Sequence, residues 1–202
     1  VVVQVRLFAV NGQQAVFSKE YSGSGANPRL YAHTIADEIH KQQRNLQGVA
    51  RTKLTFSSDR DGERLRGTIY ERRIKEIYIA DYDGANPRRI TVNRSLNINP
   101  VWSSDAKAIA YTSYRRNNMP DIFVSYIYEG RPPVAPAKGD DRIHNFLPAW
   151  SSDGTRIAFM TNRDGNPEIY VMNADGSGLR RLTRHPGIDA TPTWSPAGNQ
   201  IA

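Results

Sequence analysis

One twelve-residue pattern occurs three times in this chain and constrains its fold more than any other feature. The fullest copy runs from Pro148 to Phe159 and reads Pro-Ala-Trp-Ser-Ser-Asp-Gly-Thr-Arg-Ile-Ala-Phe. An earlier copy begins at Pro100 and a later one at Pro192. The tryptophans of the three copies, at positions 102, 150 and 194, are separated by 48 and 44 residues. A repeat of this length with a turn and an apolar strand is typical of β-propellers and related arrays.

Three further apolar segments recur with a similar period. The first follows the tryptophan turn, at residues 53–56, 108–112 and 156–161. The second occupies residues 76–80, 121–125 and 168–172. The third lies at 88–91 and 180–183, with a degenerate copy near 134–138. With the tryptophan segment they give four short strands per repeat, which is one propeller blade. Because one blade cannot bury both faces of its sheet, we expect the blades to stack with a tryptophan wedged between neighbours.

The first fifty residues have a different pattern. In residues 1–22 the apolar Val3, Val5 and Leu7 alternate with polar residues before Asn11-Gly12, a dipeptide that favours a tight turn, and Val16 and Phe17 begin a return strand after it, so the segment predicts a β-hairpin. Residues 28–44 carry an apolar stripe at helical spacing, with Asn27 as a candidate N-cap and Pro28 suited to the first turn. We therefore expect residues 1–50 to be the C-terminal part of a small α/β domain and residues 51–202 to be a partial β-propeller. The propeller part would hold about three blades and the first strand of a fourth.

Composition narrows the possible functions. The net charge is +7, but the basic residues are scattered in pairs, so nucleic-acid binding is not expected. The absence of cysteine excludes disulfides and thiolate metal sites. The sequence has no apolar run near 18 residues, so direct insertion into a membrane is not expected. The chain begins with Val1 in a strand pattern, and we expect it to be a processed or truncated piece.

The sequence lacks the common catalytic and metal-binding motifs. The sequence contains no Gly-x-Ser-x-Gly, no Walker-type phosphate loop and no His-Glu-x-x-His. His33 and His40 lie seven residues apart on the predicted helix, which is not the spacing of a metal pair. Five Asp-Gly pairs lack the alternating acidic ligands of a calcium loop and are explained by turn geometry. We therefore expect no enzyme activity, no cofactor and no metal.

The repeat resembles the propeller of the TolB family, the periplasmic component of the Tol–Pal system of Gram-negative envelopes. The resemblance rests on Pro-x-Trp-Ser-x-Asp-Gly-x-x-Ile-Ala-Phe, on Asp-Gly-x-x-x-Ile-Tyr-Val-Met and on Leu-x-x-Leu-Thr. The helix at 30–39 and the segment 78–86 are similar to TolB stretches at the same places. The resemblance implies a mainly β fold, with a small α/β domain before a propeller that is six-bladed in the complete family. It also implies a non-enzymatic periplasmic scaffold that binds the lipoprotein Pal and other Tol proteins and supports outer-membrane integrity and cell division.

The resemblance also places the partner-binding residues. The loops that connect the outermost strand of one blade to the innermost strand of the next lie at the channel mouth, and here they are 92–99, 139–147 and 184–191. By motif position, the residues expected to contact the partner are His144, Asn145, Leu147, Ala190 and Thr191. The family's equivalents of Leu147 and Ala190 are small or polar, so this chain departs from the pattern at those two positions.

Two alternatives to the scaffold remain open from the sequence. Related blades occur in the regulatory propellers of prolyl-oligopeptidase and tricorn-type peptidases, in which case the catalytic domain would be missing from this chain. A propeller that binds a sugar or another ligand at its surface is the second alternative.

Overall fold

The computed structural model describes residues 1–10, 12, 14–65, 72–137 and 139–202. Within these residues the chain forms one α-helix and fourteen β-strands, so the mainly β fold class is confirmed. Helix α1 is Pro28–Arg44. The strands are β1 Val2–Phe8, β2 Ala15–Ser22, β3 Lys53–Ser58, β4 Arg64–Leu65, β5 Arg72–Arg73, β6 Glu76–Asp81, β7 Arg88–Arg89, β8 Asn97–Trp102, β9 Ala108–Arg116, β10 Met119–Tyr126, β11 Asn145–Trp150, β12 Arg156–Thr161, β13 Glu168–Asn173 and β14 Arg180–Arg181.

The chain divides into two compact units. The first comprises Val1–Leu54 and Ala80–Pro87, and the second comprises Thr55–Ile79 and Arg88–Ala202. The domain boundary drawn from the sequence after residue 50 stays a prediction.

The first unit contains the predicted hairpin and helix. Strands β1 and β2 pair antiparallel, and helix α1 has the bounds that the sequence predicts. The Asn27 side chain accepts a hydrogen bond from the Leu30 N–H, and Asn45 closes the helix in a left-handed conformation. Glu38 on the helix binds Lys19 at 2.7 Å and accepts a hydrogen bond from the Tyr21 hydroxyl at 2.6 Å. These contacts attach the hairpin to the helix. The predicted Asn11-Gly12 turn depends on Asn11, which lies outside the described residues.

The second unit is built from successive antiparallel sheets. Their strand orders are β3-β6-β7, β8-β9-β10 and β11-β12-β13-β14. We call these sheets blades 1, 2 and 3. The fourth strand of blade 2 is reduced to an isolated bridge between Val124 and Val134, within the segment that the sequence shows as degenerate. After blade 3, Trp194 and Ile201 form an isolated antiparallel bridge that begins another repeat.

Two hydrophobic cores lie between consecutive blades. Ile77 and Ile79 of blade 1 pack against Ile109, Tyr111 and Phe123 of blade 2, with Trp102 beside them. A second core joins blade 2 to blade 3 and consists of Ala108, Ala110, Ile122, Val124, Ala137, Ile157, Phe159, Tyr170 and Met172, with Trp150 packed against it. The expected wedging of tryptophan between blades is therefore confirmed at both junctions. The sheets stack because each buries its second face only against its neighbour.

The Asp-Gly pairs form turns, as the sequence indicates. The glycines at 62, 84, 154, 165 and 176 all have φ between 66° and 114°, a region that favours glycine. In several of these turns the aspartate accepts a backbone N–H two residues on, as Asp153 does from Thr155 at 3.0 Å.

Candidate functional site

A groove of about 510 Å³ follows the innermost strands of the second unit. It is lined by the same positions of three successive repeats. These are Asn99, Pro100, Val101 and Trp102 in the first copy, Leu147, Pro148, Ala149 and Trp150 in the second, and Thr191, Pro192, Thr193 and Trp194 in the third, with Ser152. The groove therefore belongs to the repeat itself and lies where the innermost strands of a propeller face its channel.

One backbone feature recurs in all three copies. Asn99, Leu147 and Thr191 have φ values of 52°, 53° and 60°, and each precedes a proline. In blades 2 and 3 the pairing register shifts at this point, between Ile98 and Val101 and between Phe146 and Ala149. Left-handed conformations are unfavourable for leucine and threonine, and such strain concentrates at functional sites. The wall of the groove thus has a left-handed residue in each repeat, and this conformation is strained at Leu147 and Thr191.

The tryptophans of the groove occupy equivalent strand positions. Trp102 pairs with Ile109 and Trp150 with Ile157, and Trp194 is bridged to Ile201. In each copy the partner lies seven residues after the tryptophan. The three tryptophans therefore occupy corresponding strand positions, as the repeat requires.

A buried carboxylate organises the loop that leads to the third copy. Glu168 is fully buried, and it accepts hydrogen bonds from Arg181 at 2.7 Å, from the His185 N–H at 2.9 Å and from the Thr183 hydroxyl. These bonds, above all the Thr183 bond, lower the pKa of Glu168 to about 2. In blade 1 Glu76 has the corresponding partners Arg89 and Thr91, and its backbone donor is the Arg94 N–H, one position later in the repeat than His185. The network fixes the start of the channel-mouth loop in both blades.

Blade 2 has lost this network through coordinated replacements. Ala135, Pro136 and Ala137 stand where blade 3 has Arg181, Leu182 and Thr183, and Asp121 stands where it has Glu168. In blade 3 the Leu182 N–H donates to the Ile169 carbonyl at 2.8 Å. Pro136, at the same position of blade 2, has no N–H and cannot make this bond.

Asp121 instead contacts residues from other directions. Its carboxylate accepts hydrogen bonds from the Asn145 side-chain amide at 2.9 Å and from the backbone N–H of Ile122 at 2.8 Å. The Arg116 guanidinium lies 3.6 Å from the same carboxylate. The cation in this blade thus comes from the β9–β10 hairpin instead of the outermost strand. Because the arginine, threonine and backbone N–H of the blade 3 network are missing, the outermost strand of blade 2 is reduced to the single bridge between Val124 and Val134.

The five residues that the sequence places at the partner surface differ in whether they line the groove. Leu147 and Thr191 line the groove, and Ala190 is exposed beside Thr191. His144 is half-buried, with its N–H bonded to the Asn162 side chain at 2.7 Å and its ring edge against Phe146. His144 and Ala190 thus lie next to the groove in sequence without lining it.

The expectation for Asn145 needs correction. Only 1% of Asn145 is exposed, because its amide crosses from β11 to the Asp121 carboxylate of blade 2. Asn97, which the sequence also places in a mouth loop, is buried at the start of β8 and bonds Glu76 at 3.0 Å. Both asparagines join neighbouring blades, so neither side chain is available to a partner.

A metal-binding cluster of acidic or histidine residues and a membrane-spanning helix are both absent from the described part of the chain. No group of three or more His, Cys, Asp or Glu residues there is arranged to hold a metal ion. The helix found there is too short and too polar to span a membrane. His33, which the sequence singled out, packs its ring edge-on against Tyr82, with Asp83 3.5 Å from its Nε2 atom.

The repeat, the stacked blades and the groove agree with one family. A family model described as the TolB beta propeller domain matches residues 40–202. The chain belongs to the TolB propeller family. Among curated relatives, the Tol-Pal system protein TolB of Bordetella pertussis is 38% identical over 183 residues, which are 90% of this chain and 38% of the relative. The protein TolB homolog of Chlorobium chlorochromatii is 36% identical over 197 residues, which are 98% of this chain and 41% of the relative.

A solved structure of TolB supports the same assignment. The crystal structure of TolB from Acinetobacter baumannii superposes with a TM-score of 0.76 at 25% identity and covers 99% of this chain and 47% of that chain. The chain thus spans about two fifths of the length of the curated TolB relatives given above. The resemblance to TolB drawn from the sequence is therefore confirmed.

Proposed function

We propose that this chain is part of a non-enzymatic, periplasmic scaffold of the Tol–Pal system that binds the lipoprotein Pal through the groove and its rim. The observation that carries the proposal is the groove itself, which three repeats build from equivalent positions. The rim would be formed by His144 and Ala190, which lie close in sequence to groove-lining residues, and by the ends of the mouth loops. The family membership supplies the system, since the relatives are named as Tol-Pal system proteins.

The chemistry of the groove favours binding over catalysis. Its lining consists of proline, tryptophan, small aliphatic and hydroxyl or amide side chains, and no charged residue lines it in the described part of the chain. Flat apolar rings with a few polar groups are typical of protein-binding surfaces. A general acid or base, which most hydrolytic mechanisms require, is not among these residues. Through this binding the scaffold would support outer-membrane integrity and cell division, together with other Tol proteins.

Titration calorimetry with the full-length protein and lipid-free Pal from the same organism tests the proposal. We expect saturable one-to-one binding, weakened by Thr193→Arg, which places a charge in the groove. Tyr128→Ala is the matched control, because Tyr128 is 71% exposed and does not line the groove. Absence of binding by the unaltered protein, or equal weakening by both variants, would contradict the proposal.

A further inference from the structure

We propose that the joint between blades 2 and 3 is a binding site for one water molecule, held by the Asn145 side-chain oxygen, the Asp121 carboxylate and the Arg116 guanidinium. In the other two blades the same position is filled by a longer acid with arginine and threonine partners. The inference does not depend on the proposed function, since these three residues do not line the groove.

The side-chain oxygen of Asn145 is a buried acceptor without a hydrogen-bond partner among the described residues. Only 1% of Asn145 is exposed, and its Nδ2 atom donates to the Asp121 Oδ1 atom at 2.9 Å. Because an ionised carboxylate can only accept, this bond fixes which end of the amide is the nitrogen. Buried acceptors of this kind are normally satisfied by a protein donor or by ordered water.

The equivalent asparagine of the preceding junction shows which donor is missing. Asn97 also sends its Nδ2 atom to a buried acid, Glu76, at 3.0 Å. Its Oδ1 atom, however, accepts from the side chain of Asn93 at 3.2 Å. Asn93 lies four residues before Asn97, and the residue four before Asn145 is Asp141. An ionised aspartate has no N–H to donate, so the loop that leads to Asn145 does not supply this bond.

The acid of blade 2 leaves room for a water. Asp121 occupies the position of Glu76 and Glu168, and its side chain is one methylene shorter. The two glutamates bond their arginines directly, at 2.9 and 2.7 Å. In blade 2 the Arg116 guanidinium lies 3.6 Å from the Asp121 Oδ2 atom, which is longer than a direct hydrogen bond. A polar gap of this length is a place where a bridging water is expected.

A cavity of matching size lies at this place. Its volume is about 10 Å³, and Arg116, Asp121, Gly139, Asp141 and Asn145 are among the residues that line it. One water needs a space of about 10–15 Å³. A water in this cavity would donate to the Asn145 and Asp121 oxygens and accept from Arg116. These are the three hydrogen bonds that a buried water typically makes.

The groups around the cavity suit water better than a metal ion. Arg116 brings a positive charge into the wall, and the carboxylate of Asp140, which also lines the cavity, is already paired with Arg142 at 3.0 Å. No three acidic or histidine residues in the described chain are arranged to hold a metal. A cation would therefore face a guanidinium and too few ionised oxygens to replace its hydration.

A crystal structure of the full-length protein that shows ordered waters tests the inference. We expect one solvent peak at about 2.7–3.2 Å from the Asn145 Oδ1 atom and from Asp121 or Arg116. In Asp121→Glu, whose side chain has the length found in blades 1 and 3, the carboxylate should reach Arg116 directly and the peak should disappear. Asp121→Asn is the matched control, because it keeps the length of the side chain, and it should keep the peak.

Three results would overturn the inference. A direct protein donor to the Asn145 oxygen, or no density beside that oxygen, would show that no water binds there. A peak at ligand distances of about 2.0–2.6 Å would identify a metal ion instead. A peak that persists in Asp121→Glu, with the glutamate bonded to Arg116, would show that the water does not occupy the space left by the shorter acid.

Discussion

Trp194 donates its indole N–H to the carbonyl oxygen of Ala149, 3.1 Å away on the innermost strand of blade 3. The bond joins the third copy of the repeat to the second along the wall of the groove. The indole nitrogens of Trp102 and Trp150 are buried and have no hydrogen-bond partner among the described residues. The three rings thus occupy corresponding strand positions but differ in hydrogen bonding. Among the cation–ring contacts of the described residues, only the Trp194 ring of the three has a guanidinium over it, that of Arg156 at 4.6 Å from the ring centre.

This difference predicts unequal effects of replacing tryptophan by phenylalanine. Trp194→Phe should lower the free energy of unfolding by about 1 kcal/mol more than Trp150→Phe, because only Trp194 loses a hydrogen bond. Trp150→Phe also removes a buried donor that has no partner. Urea unfolding of both variants, followed by circular dichroism, measures the difference. A larger loss for Trp150→Phe would show that the Ala149 bond is not what distinguishes the two sites.

The backbone conformation of Ala106 indicates that replacing this residue by glycine would stabilise the protein. Its φ of 56° is left-handed, whereas the corresponding residues of the next two copies, Gly154 and Gly198, are glycines with φ of 71°. Ala106→Gly should raise the free energy of unfolding by about 0.5–1 kcal/mol, because relief of strain exceeds the added chain entropy. The reverse change, Gly154→Ala, should destabilise, since a Cβ there would also lie 2.6 Å from the Ser104 hydroxyl. A loss of stability in Ala106→Gly would contradict this interpretation.

The buried Glu168 predicts an acid-sensitive contribution to stability. Its pKa is lowered from 4.5 to about 2, chiefly by the Thr183 hydroxyl and then by Arg181 and the His185 N–H. Because the folded-state pKa is the lower one, the stabilisation is complete above about pH 4.5 and is lost as the pH falls towards 2. The urea midpoint of the unaltered protein should therefore fall between pH 7 and pH 3 by more than that of Glu168→Gln.

A control for Glu168 comes from blade 2. Asp121→Asn changes the corresponding carboxylate, which lacks the arginine and threonine partners of blade 3. At pH 7 it should lower the urea midpoint less than Glu168→Gln does. Equal pH dependence in the unaltered protein and Glu168→Gln would show that Glu168 does not supply the acid sensitivity.

Three tyrosines predict an alkaline transition. Burial, followed by hydrogen bonds to Glu38, Asp61 and Asp164, raises the pKa of Tyr21, Tyr78 and Tyr170 to about 12. Since the folded-state pKa is the higher one, their contribution to stability is complete below about pH 10 and is lost as the pH rises towards 12. Absorbance titration at alkaline pH should show a late phase that shrinks in Tyr170→Phe. A single phase near pH 10 before unfolding would contradict this.

The repeat could be predicted from the sequence because the residue patterns that specify its strands and turns are local. Helix α1 has both predicted ends, since Asn27 and Pro28 mark its start and Asn45 its end. Strand β12 has the bounds that the sequence predicts, and β6 and β13 extend one residue further than expected. Alternating apolar residues and Asp-Gly turns specify these strands without information from distant parts of the chain.

The site was harder to predict because it depends on contacts between blades. Nothing local in Asn145 indicates that its amide crosses to Asp121, 24 residues earlier in the chain. The left-handed conformation could be suspected at Asn99 from its residue type, but leucine and threonine give no such signal at 147 and 191. The repeated proline is the one sequence feature that marks these left-handed residues, and its meaning emerges only when the three copies are aligned.

The most direct test of the central claim is site-specific photo-crosslinking in cells. A photoreactive residue placed at Thr193, which lines the groove, should form an adduct that contains Pal. The same residue placed at Tyr128, which is exposed away from the groove lining, should give none. A Pal adduct from position 128 but not from position 193 would contradict the account of the groove as the partner-binding surface.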